Sequence, residues 1–441
     1  MPKSSQLAVI EKPIYGGAFL ARAEGKALFT PLCLVGEEVQ VRAVEEKRSF
    51  SVCELEAVIR AAPERIEPRC QHFGLCGGCS YQHTDGATQL GMKVAILKET
   101  MDRAGVSVPI EIDVLAGDPW GYRNRIRLAV DEHGKLGYRA RRSRQIIPIA
   151  ECPIAAPVLF RAKEAAERAL SKLPNIGVEE IELFANADET ELLIRILAKS
   201  PVKTMQWLTA FAAAVPGLTG LEMARVQKSS GRTNGSSEVV AHWGKQSLKY
   251  QVAGFEYRVD LGAFFQVNRF LVDALVERVT THAKGKLAWD LYAGVGLFAR
   301  RLSAHFDEVI AVESASASTR ALEENVTGVA VRAVEARTED FVRRNQNEMK
   351  SGARGSSSPK GRAVPDLIVV DPPRAGLGAE TVEGLVAIGA PRIVYVSCDP
   401  ATLARDLKGL TNAGYRVTSL TMADLFPQTY HLESIVHLER S

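Results

Sequence analysis

The sequence has no apolar run long enough to cross a bilayer, and its first residues, MPKSSQLAVIEKP, lack the hydrophobic core of a secretion signal. A cytoplasmic protein is therefore expected. There the seven cysteines are expected to be metal ligands or reactive thiols rather than disulfides. Charge of one sign is also scarce. A formal net charge of +3 is too small to announce a nucleic-acid partner by itself. The cysteines form no two paired C-x2-C units, the spacing that favours zinc. No Lys-Ser/Thr follows the glycine turn at 294–296, which argues against a nucleoside triphosphate. What remains is ordinary for a globular chain, 46% hydrophobic and 24% charged, and 441 residues suit two or three domains.

Residues 1–60 read as short strands. Gly16–Gly17 marks a turn, and Val39, Val41 and Val44 sit in a partly alternating stretch, so a small β-barrel is expected. Its basic and aromatic residues (Tyr15, Arg22, Phe29, Arg42, Lys47, Arg48) could face RNA or be ordinary surface, and Cys33 and Cys53 read as core. Residues 61–250 form a central α+β part. It holds helices at 89–104 and 155–173, strands across 120–150 and a hairpin over 180–197. Residues 120–145 carry eight Lys/Arg against two acids, a patch that can hold phosphates or be a solvated face. From 251 to 441 strands and helices alternate, which implies a parallel sheet. Composition marks 227–238 as a polar loop and 344–362 as a disordered basic insertion.

Five stretches carry chemistry. Cys70, Cys76 and Cys79 are spaced C-x5-C-x2-C, and Cys152 in IAECPIA is the best fourth ligand. Thiolates this close need a cation, either zinc or an iron–sulfur cluster; three close cysteines plus a distant one lean towards [4Fe–4S]. His72 and His83 then read as surface or RNA-facing. Gly294 and Gly296 open a helix after a strand. Glu313 ends the next strand, where an acid suits ribose hydroxyls, so a nucleoside without a phosphate chain, such as S-adenosylmethionine, fits. Asp371-Pro372-Pro373-Arg374 is a stiff turn at a third strand end. Arg374 could meet phosphate, an oxyanion or a structural acid. IVYVSCDPATLARDL places Cys398 between a strand and a helix opening at Pro400, where the helix end favours thiolate. A buried structural cysteine is the plainer alternative there. In DLFPQTYHLES, Glu433 suits a general base if burial raises its pKa, and His431 suits a scaffold role.

Taken together, ERIEPRCQHFGLCGGCSYQH, YRNRIRLAV, ECPI, FFQVN, DLYAGVGLF, VVDPPRAGL, YVSCDPATLARDL and DLFPQTYHLES resemble the uracil-C5 RNA methyltransferases. Within them the chain is similar to the 23S ribosomal RNA (uracil-5-)-methyltransferases that carry an iron–sulfur cluster. The resemblance spans nearly the whole chain outside the two polar loops. It implies a TRAM barrel for RNA over 1–60, a central iron–sulfur domain over 61–250 and a Rossmann-like methyltransferase domain over 251–441. It also implies a [4Fe–4S] cluster on Cys70, Cys76, Cys79 and Cys152. Gln266, Tyr292 and Glu313 would contact S-adenosylmethionine with the Gly294–Gly296 turn, and Asp371 would line the same site. Cys398 would be the nucleophile and Glu433 the base.

There are three departures from the family. Asp399 stands where Asn is common, which is expected to raise the thiol pKa. Arg337 in EARTED stands near an expected adenine contact. The 344–362 insertion has no counterpart in function. Pro373 stands where RNA cytosine-C5 enzymes carry a second cysteine, which favours uracil. The partner implied is RNA, most simply 23S ribosomal RNA, met by a monomer. Methylation of transfer-RNA uracil-54 is the alternative, and a non-catalytic iron–sulfur RNA-binding protein is a more distant one.

Overall fold

The computed structural model describes residues 5–23, 25–109, 111–201, 205–226, 237–351 and 364–441, and the counts below refer to these. Most of 227–238 and 344–362 lies outside the described residues. Residues 344–351 are the end of a helix, Thr338–Ser351, where the composition had suggested disorder.

Five strands, Ser5–Ile14, Ala18–Ala23, Lys26–Pro31, Glu38–Glu46 and Phe50–Arg60, close a barrel. Alternation decides what enters it: Val39 and Val41 are fully buried. Val44 is out of phase with them and points outward, and Ala43 takes the next inward place. Cys33 and Cys53 are fully buried in the barrel core.

The central part builds a seven-stranded sheet in the order Ser237–Gly244, Leu218–Val226, Leu192–Ala198, Val178–Ala185, Arg125–Val130, Leu136–Arg139 and Ile146–Pro148. Helices Pro157–Leu170 and Met205–Ala214 bury their apolar stripes on it. A two-stranded ribbon, Ser247–Val252 and Phe255–Asp260, leads into the last part.

That part is an eight-stranded sheet. Its order is Val331–Glu335, Phe306–Glu313, Gly285–Leu291, Leu367–Val370, Arg392–Ser397, Glu433–Arg440, Tyr415–Ala423 and Asp113–Leu115. The first five strands are parallel, and Glu433–Arg440 runs antiparallel between its neighbours. Near-continuous apolar strands such as Leu367–Val370, buried throughout, are what a sheet covered on both faces requires. Val272–Val279, Leu297–Leu302 and Ser316–Asn325 pack into one core, and Ala379–Ile388 and Pro400–Asn412 into the other. This is the S-adenosylmethionine-dependent methyltransferase fold. The strand order reverses between Gly285–Leu291 and Leu367–Val370. Such a switch point is where an α/β sheet opens a crevice at its strand ends.

Two early elements cross into this sheet. Helix Gly86–Ala104, capped by Asp85 and by Gly105 at φ 65°, contributes Ile96, Leu97 and Met101 to the second core. Strand Asp113–Leu115 forms the sheet's edge. The helix is tied by a buried Lys93–Asp424 pair at 2.6 Å and by a hydrogen-bonded Gln89–Gln428 pair. The segment 424–431 is thereby the meeting point of the early elements and the sheet.

Candidate active site

The buried strand Arg392–Ser397 ends in a turn at Cys398, and helix Pro400–Asn412 starts two residues later. Pro400 at the first helical position donates nothing and loses nothing. The Asp399 carboxylate caps the helix, accepting from Ala401 N and Thr402 N at 3.0 Å each. The peptide after Cys398 is pinned at both ends. Its N–H, on Asp399, donates to Ser397 Oγ at 3.3 Å, and its carbonyl accepts from Tyr15 Oη at 2.9 Å.

Glu433 opens the antiparallel strand. Ser434 pairs with Ser397, so Glu433 lies next to the turn, and it is 5% exposed. Asp371 follows the end of Leu367–Val370, its N–H held by Leu291 O at 3.3 Å. The loop behind it is fixed by helix Pro400–Asn412. Thr402 Oγ1 donates to Arg374 O at 3.1 Å, and Leu377 N donates to Asp406 Oδ2 at 2.7 Å. Arg374 Nη2 lies 3.1 Å from His431 Nδ1. Burial and the nearby Arg374 charge lower the His431 pKa to about 4, so the ring is neutral and can accept from the guanidinium. His431 is a scaffold, as its sequence context suggested.

Two electrostatic expectations change. The Cys398 thiol is pushed up to about 12, by burial first and then by Glu433 and Asp371, with Arg374 opposing. The helix end therefore does not leave a thiolate in the resting site. Asp399, expected to raise that pKa, has its carboxylate turned into the helix cap.

Four carboxylates mark the crevice. Burial raises Asp371 to about 7. Burial, and then the Asp371 charge, raise Glu433 well above the usual carboxylate range. Asp290, fully buried, rises to about 8 through burial and then through Asp371 and Glu313. One of its oxygens accepts from Ala299 N at 2.7 Å, and the other, Oδ1, has no partner. Glu313 accepts from the N–H groups of Gly294, Ser314 and Ala315 at 2.9, 2.7 and 2.7 Å. Once ionised, such a floor suits a cation and repels an anion.

The nucleoside side is built from strained or open backbone. Gly294 and Gly296 have φ 55° and 88°; a Cβ on Gly296 would meet Leu322 Cδ1 at 2.6 Å, while one on Gly294 would meet open space. Tyr292 has φ 63°, a strained value of the kind held at ligand sites, and its hydroxyl donates to Glu339 Oε1 at 3.3 Å. Gln266 is buried, its carbonyl held by Asn124 Nδ2 at 3.0 Å, and Asn268 bridges to Leu425 O at 3.1 Å. Arg337 is exposed beside Glu339.

In the central part Cys70, Cys76, Cys79 and Cys152 line one cavity of about 270 Å³. Burial raises all four thiols, and neighbouring thiols add to the rise at Cys76, Cys79 and Cys152; Cys79 reaches about 12 and Cys152 about 11. Among the described residues no three His, Cys, Asp or Glu side chains converge on a single-ion position. His83 is buried against Cys33 O at 2.9 Å rather than facing outward as expected.

The basic stretch divides. Arg125 and Arg127 are committed to Glu182 at 3.5 and 2.9 Å, and Arg125 also stacks on Phe184, so these two are structural. Arg139, Arg141 and Arg142 line an open cleft of about 440 Å³ with Gly16 of the barrel and Gly77.

Comparison with known proteins agrees with this geometry. The sequence profile of the tRNA (uracil-5-)-methyltransferase family matches residues 217–441. An uncharacterized RNA methyltransferase of Streptomyces avermitilis is 33% identical over 96% of this chain and 96% of its own. The chain belongs to the tRNA (uracil-5-)-methyltransferase family. The 23S rRNA (uracil(1939)-C(5))-methyltransferase RlmD of Halomonas elongata is 33% identical, covering 98% of this chain and 89% of that one. In fold, the chain is similar to Pyrococcus abyssi tRNA (uracil-54, C5)-methyltransferase, solved in complex with S-adenosyl-L-homocysteine. That match has a TM-score of 0.76 at 24% identity and covers 98% and 99% of the two chains.

The sequence left two features unseen. Tyr15, grouped there with residues that could face RNA, turns inward to the Cys398 turn. Asp290 gave no signal beyond its place before the glycine turn. Only its depth in the sheet marks it.

Proposed function

We propose that this protein transfers a methyl group from S-adenosylmethionine to C5 of a uridine in 23S ribosomal RNA, with Cys398 as nucleophile and Glu433 as base. The observation that carries the reading is the Cys398 turn, flanked by Glu433, Asp371 and Arg374 at the mouth of the glycine-turn crevice. The relative that covers nearly the whole chain and is named for 23S rRNA supports the substrate. Transfer RNA is the second reading, favoured by the name of the matching family and by the fold neighbour.

C5 of uracil is a weak nucleophile. When Cys398 Sγ bonds to C6, the C5–C6 π electrons move to C5 and the C4 oxygen. The thiol proton and the carboxyl proton of Glu433 pass to solvent first, and Arg374 is the neighbouring charge that favours both anions. When bound, S-adenosylmethionine supplies an electrophilic methyl on a cationic sulfur, which C5 takes. Glu433 then accepts the C5 proton, the C5–C6 double bond re-forms, and Sγ departs with its electron pair. Gln266, Tyr292, Gly294, Gly296, Glu313 and Asp371 would hold the donor; the open Gly294 backbone and the unpartnered Asp290 oxygen fit a cationic nucleoside. The substrate base must leave its stack. Phe264, 66% exposed beside buried Gln266, offers it an aromatic face. The open Arg139–Arg142 cleft beside the barrel suits the RNA backbone.

Cys70, Cys76, Cys79 and Cys152 would hold a [4Fe–4S] cluster in a structural role. A cubane binds its thiolates at separate corners, more widely spaced than around one tetrahedral ion. Four thiols lining one cavity supply the number of ligands that a cubane takes. Brown protein containing iron and acid-labile sulfide is expected; colourless protein with one tightly held zinc would reject the cluster.

The test of the reaction is tritium release from RNA carrying 5-tritiated uracil, dependent on S-adenosylmethionine. No release from ribosomal or transfer RNA would defeat the proposal, and release from transfer RNA alone would move it to the second substrate.

A further inference from the structure

Tyr15 stands at the tip of the first barrel hairpin, where Ile14 pairs with Ala18 and Gly16 and Gly17 turn the chain at φ 100° and 80°. Its hydroxyl donates to the carbonyl of Cys398 at 2.9 Å, across 383 residues of sequence. The hairpin is wedged rather than merely adjacent. A Cβ on Gly17 would meet Ser80 Oγ at 3.0 Å and Tyr430 Cδ1 at 3.1 Å. The Tyr15 ring meets Tyr430 edge-on at 5.7 Å, and Tyr430 lies against His431 at 4.1 Å, the residue that receives Arg374. A second barrel anchor, Lys12 to Glu99 at 2.5 Å, lies away from the catalytic turn.

The hydrogen bond matters because of the peptide it fixes. The Cys398–Asp399 peptide has two polar ends. Ser397 Oγ takes the N–H and Tyr15 takes the C=O. Holding that plane fixes ψ of Cys398 and with it the Cα–Cβ bond from which Sγ reaches the crevice. A misaligned nucleophile is costly because reactivity depends on a near-attack geometry. Burial, Asp399 and Cys398 all keep the Tyr15 phenol protonated, so it stays a donor.

We infer that Tyr15 is a positioning residue for the methyl-transfer reaction: the N-terminal barrel, through this one hydroxyl, aims the Cys398 sulfur. The inference rests on Cys398 being the nucleophile, as proposed above. It makes the seating of the barrel a condition of the chemistry and not only of RNA binding.

The experiment is single-turnover adduct formation on ribosomal RNA substituted with 5-fluorouracil, whose C5 fluorine blocks release of the enzyme. Tyr15→Phe keeps the ring packing and removes the donor. It should slow adduct formation roughly 3- to 10-fold, the factor one hydrogen bond commands, with KM for RNA and affinity for S-adenosylhomocysteine unchanged. Lys12→Ala loosens the other anchor and should leave the adduct rate unchanged. A wild-type adduct rate in Tyr15→Phe, or a raised KM at unchanged rate, overturns the inference and leaves Cys398 as nucleophile. Absence of any adduct in the wild type overturns the nucleophile assignment and this inference with it.

Discussion

One sulfur stands alone at the strand–helix turn of Cys398, and four line the central cavity, yet both places hold thiols with raised pKa values. The causes differ after burial. Cys398 is raised by two carboxylates and relieved by Arg374, whereas Cys79 is raised by three other thiols. A neutral lone thiol is a stable resting state that waits for charge to arrive with its substrates. The four part-buried thiols around one cavity have no such partner to wait for, and in the proposed cluster site a resident cation would meet them. On the proposed roles, the same side chain serves intermittent chemistry in one place and permanent ligation in the other.

The sharpest way to break this comparison is to remove each sulfur. Cys398→Ala should abolish turnover while leaving thermal stability and S-adenosylhomocysteine binding intact, as calorimetry and a methylation assay would show. Cys70→Ser should do the reverse, bleaching the protein and lowering its melting temperature before the reaction is touched. If Cys398→Ala retained substantial turnover, the division of labour would be gone.

Next in size is Glu433→Gln. Removing a general base typically costs about 10² to 10⁴ in rate. The loss should fall after bond formation, so protein–RNA adduct should accumulate on a denaturing gel with S-adenosylmethionine present. Loss of activity without adduct would place Glu433 before the addition step instead.

The carboxylate floor sets a third, smaller effect. Asp290 and Asp371 rise from near 3.8 to about 8 and about 7 in the folded chain. A raised acid binds its proton more tightly when folded. Its contribution is complete below the unfolded pKa of about 3.9 and is lost as pH climbs through the folded value. Each such group should cost about 1.4 kcal/mol per pH unit within that window. The ligand-free protein should therefore melt earlier at pH 8 than at pH 6, and Asp290→Asn should flatten the slope. S-adenosylmethionine, a cation, should bind more tightly over the same rise. An unchanged slope in Asp290→Asn would show that the floor is better solvated than its burial implies.

These effects also show what was legible before any coordinates. Local chemistry was: the strand–Cys398–helix turn, the glycine turn, the cysteine spacing and the alternating Val39 and Val41 follow from neighbours in sequence. Long-range partners were not. Strand Asp113–Leu115 at the sheet edge, Lys93 under Asp424, and Tyr15 on the Cys398 carbonyl each join residues more than 300 positions apart, and no periodicity encodes that. Side-chain direction was equally hidden. Arg125 and Arg127 sit in a stretch that by charge alone reads as a phosphate patch or a solvated face, whereas both pair with Glu182. The pKa of Cys398 was misjudged for the same reason, because Glu433 and Asp371 approach it from other strands.

Asp399 gives the smallest effect and the finest discrimination. By sequence its carboxylate adjoins the thiol and should raise its pKa. In the fold that carboxylate bonds Ala401 N and Thr402 N, and the Asp399 charge is the leading electrostatic influence on the Tyr15 hydroxyl. The charges that act on the thiol are Glu433, Asp371 and Arg374. Asn caps a helix about as well as Asp, so Asp399→Asn should change stability by less than about 0.5 kcal/mol, whereas Asp399→Ala should cost about 1 kcal/mol. Neither should move the midpoint of the pH–rate profile for adduct formation, since neither removes a charge that acts on Sγ. A midpoint that fell in Asp399→Asn would show instead that the capping carboxylate does reach the sulfur. The helix start would then be part of the nucleophile's electrostatics, and the turn would no longer divide into a scaffold and a reactive atom.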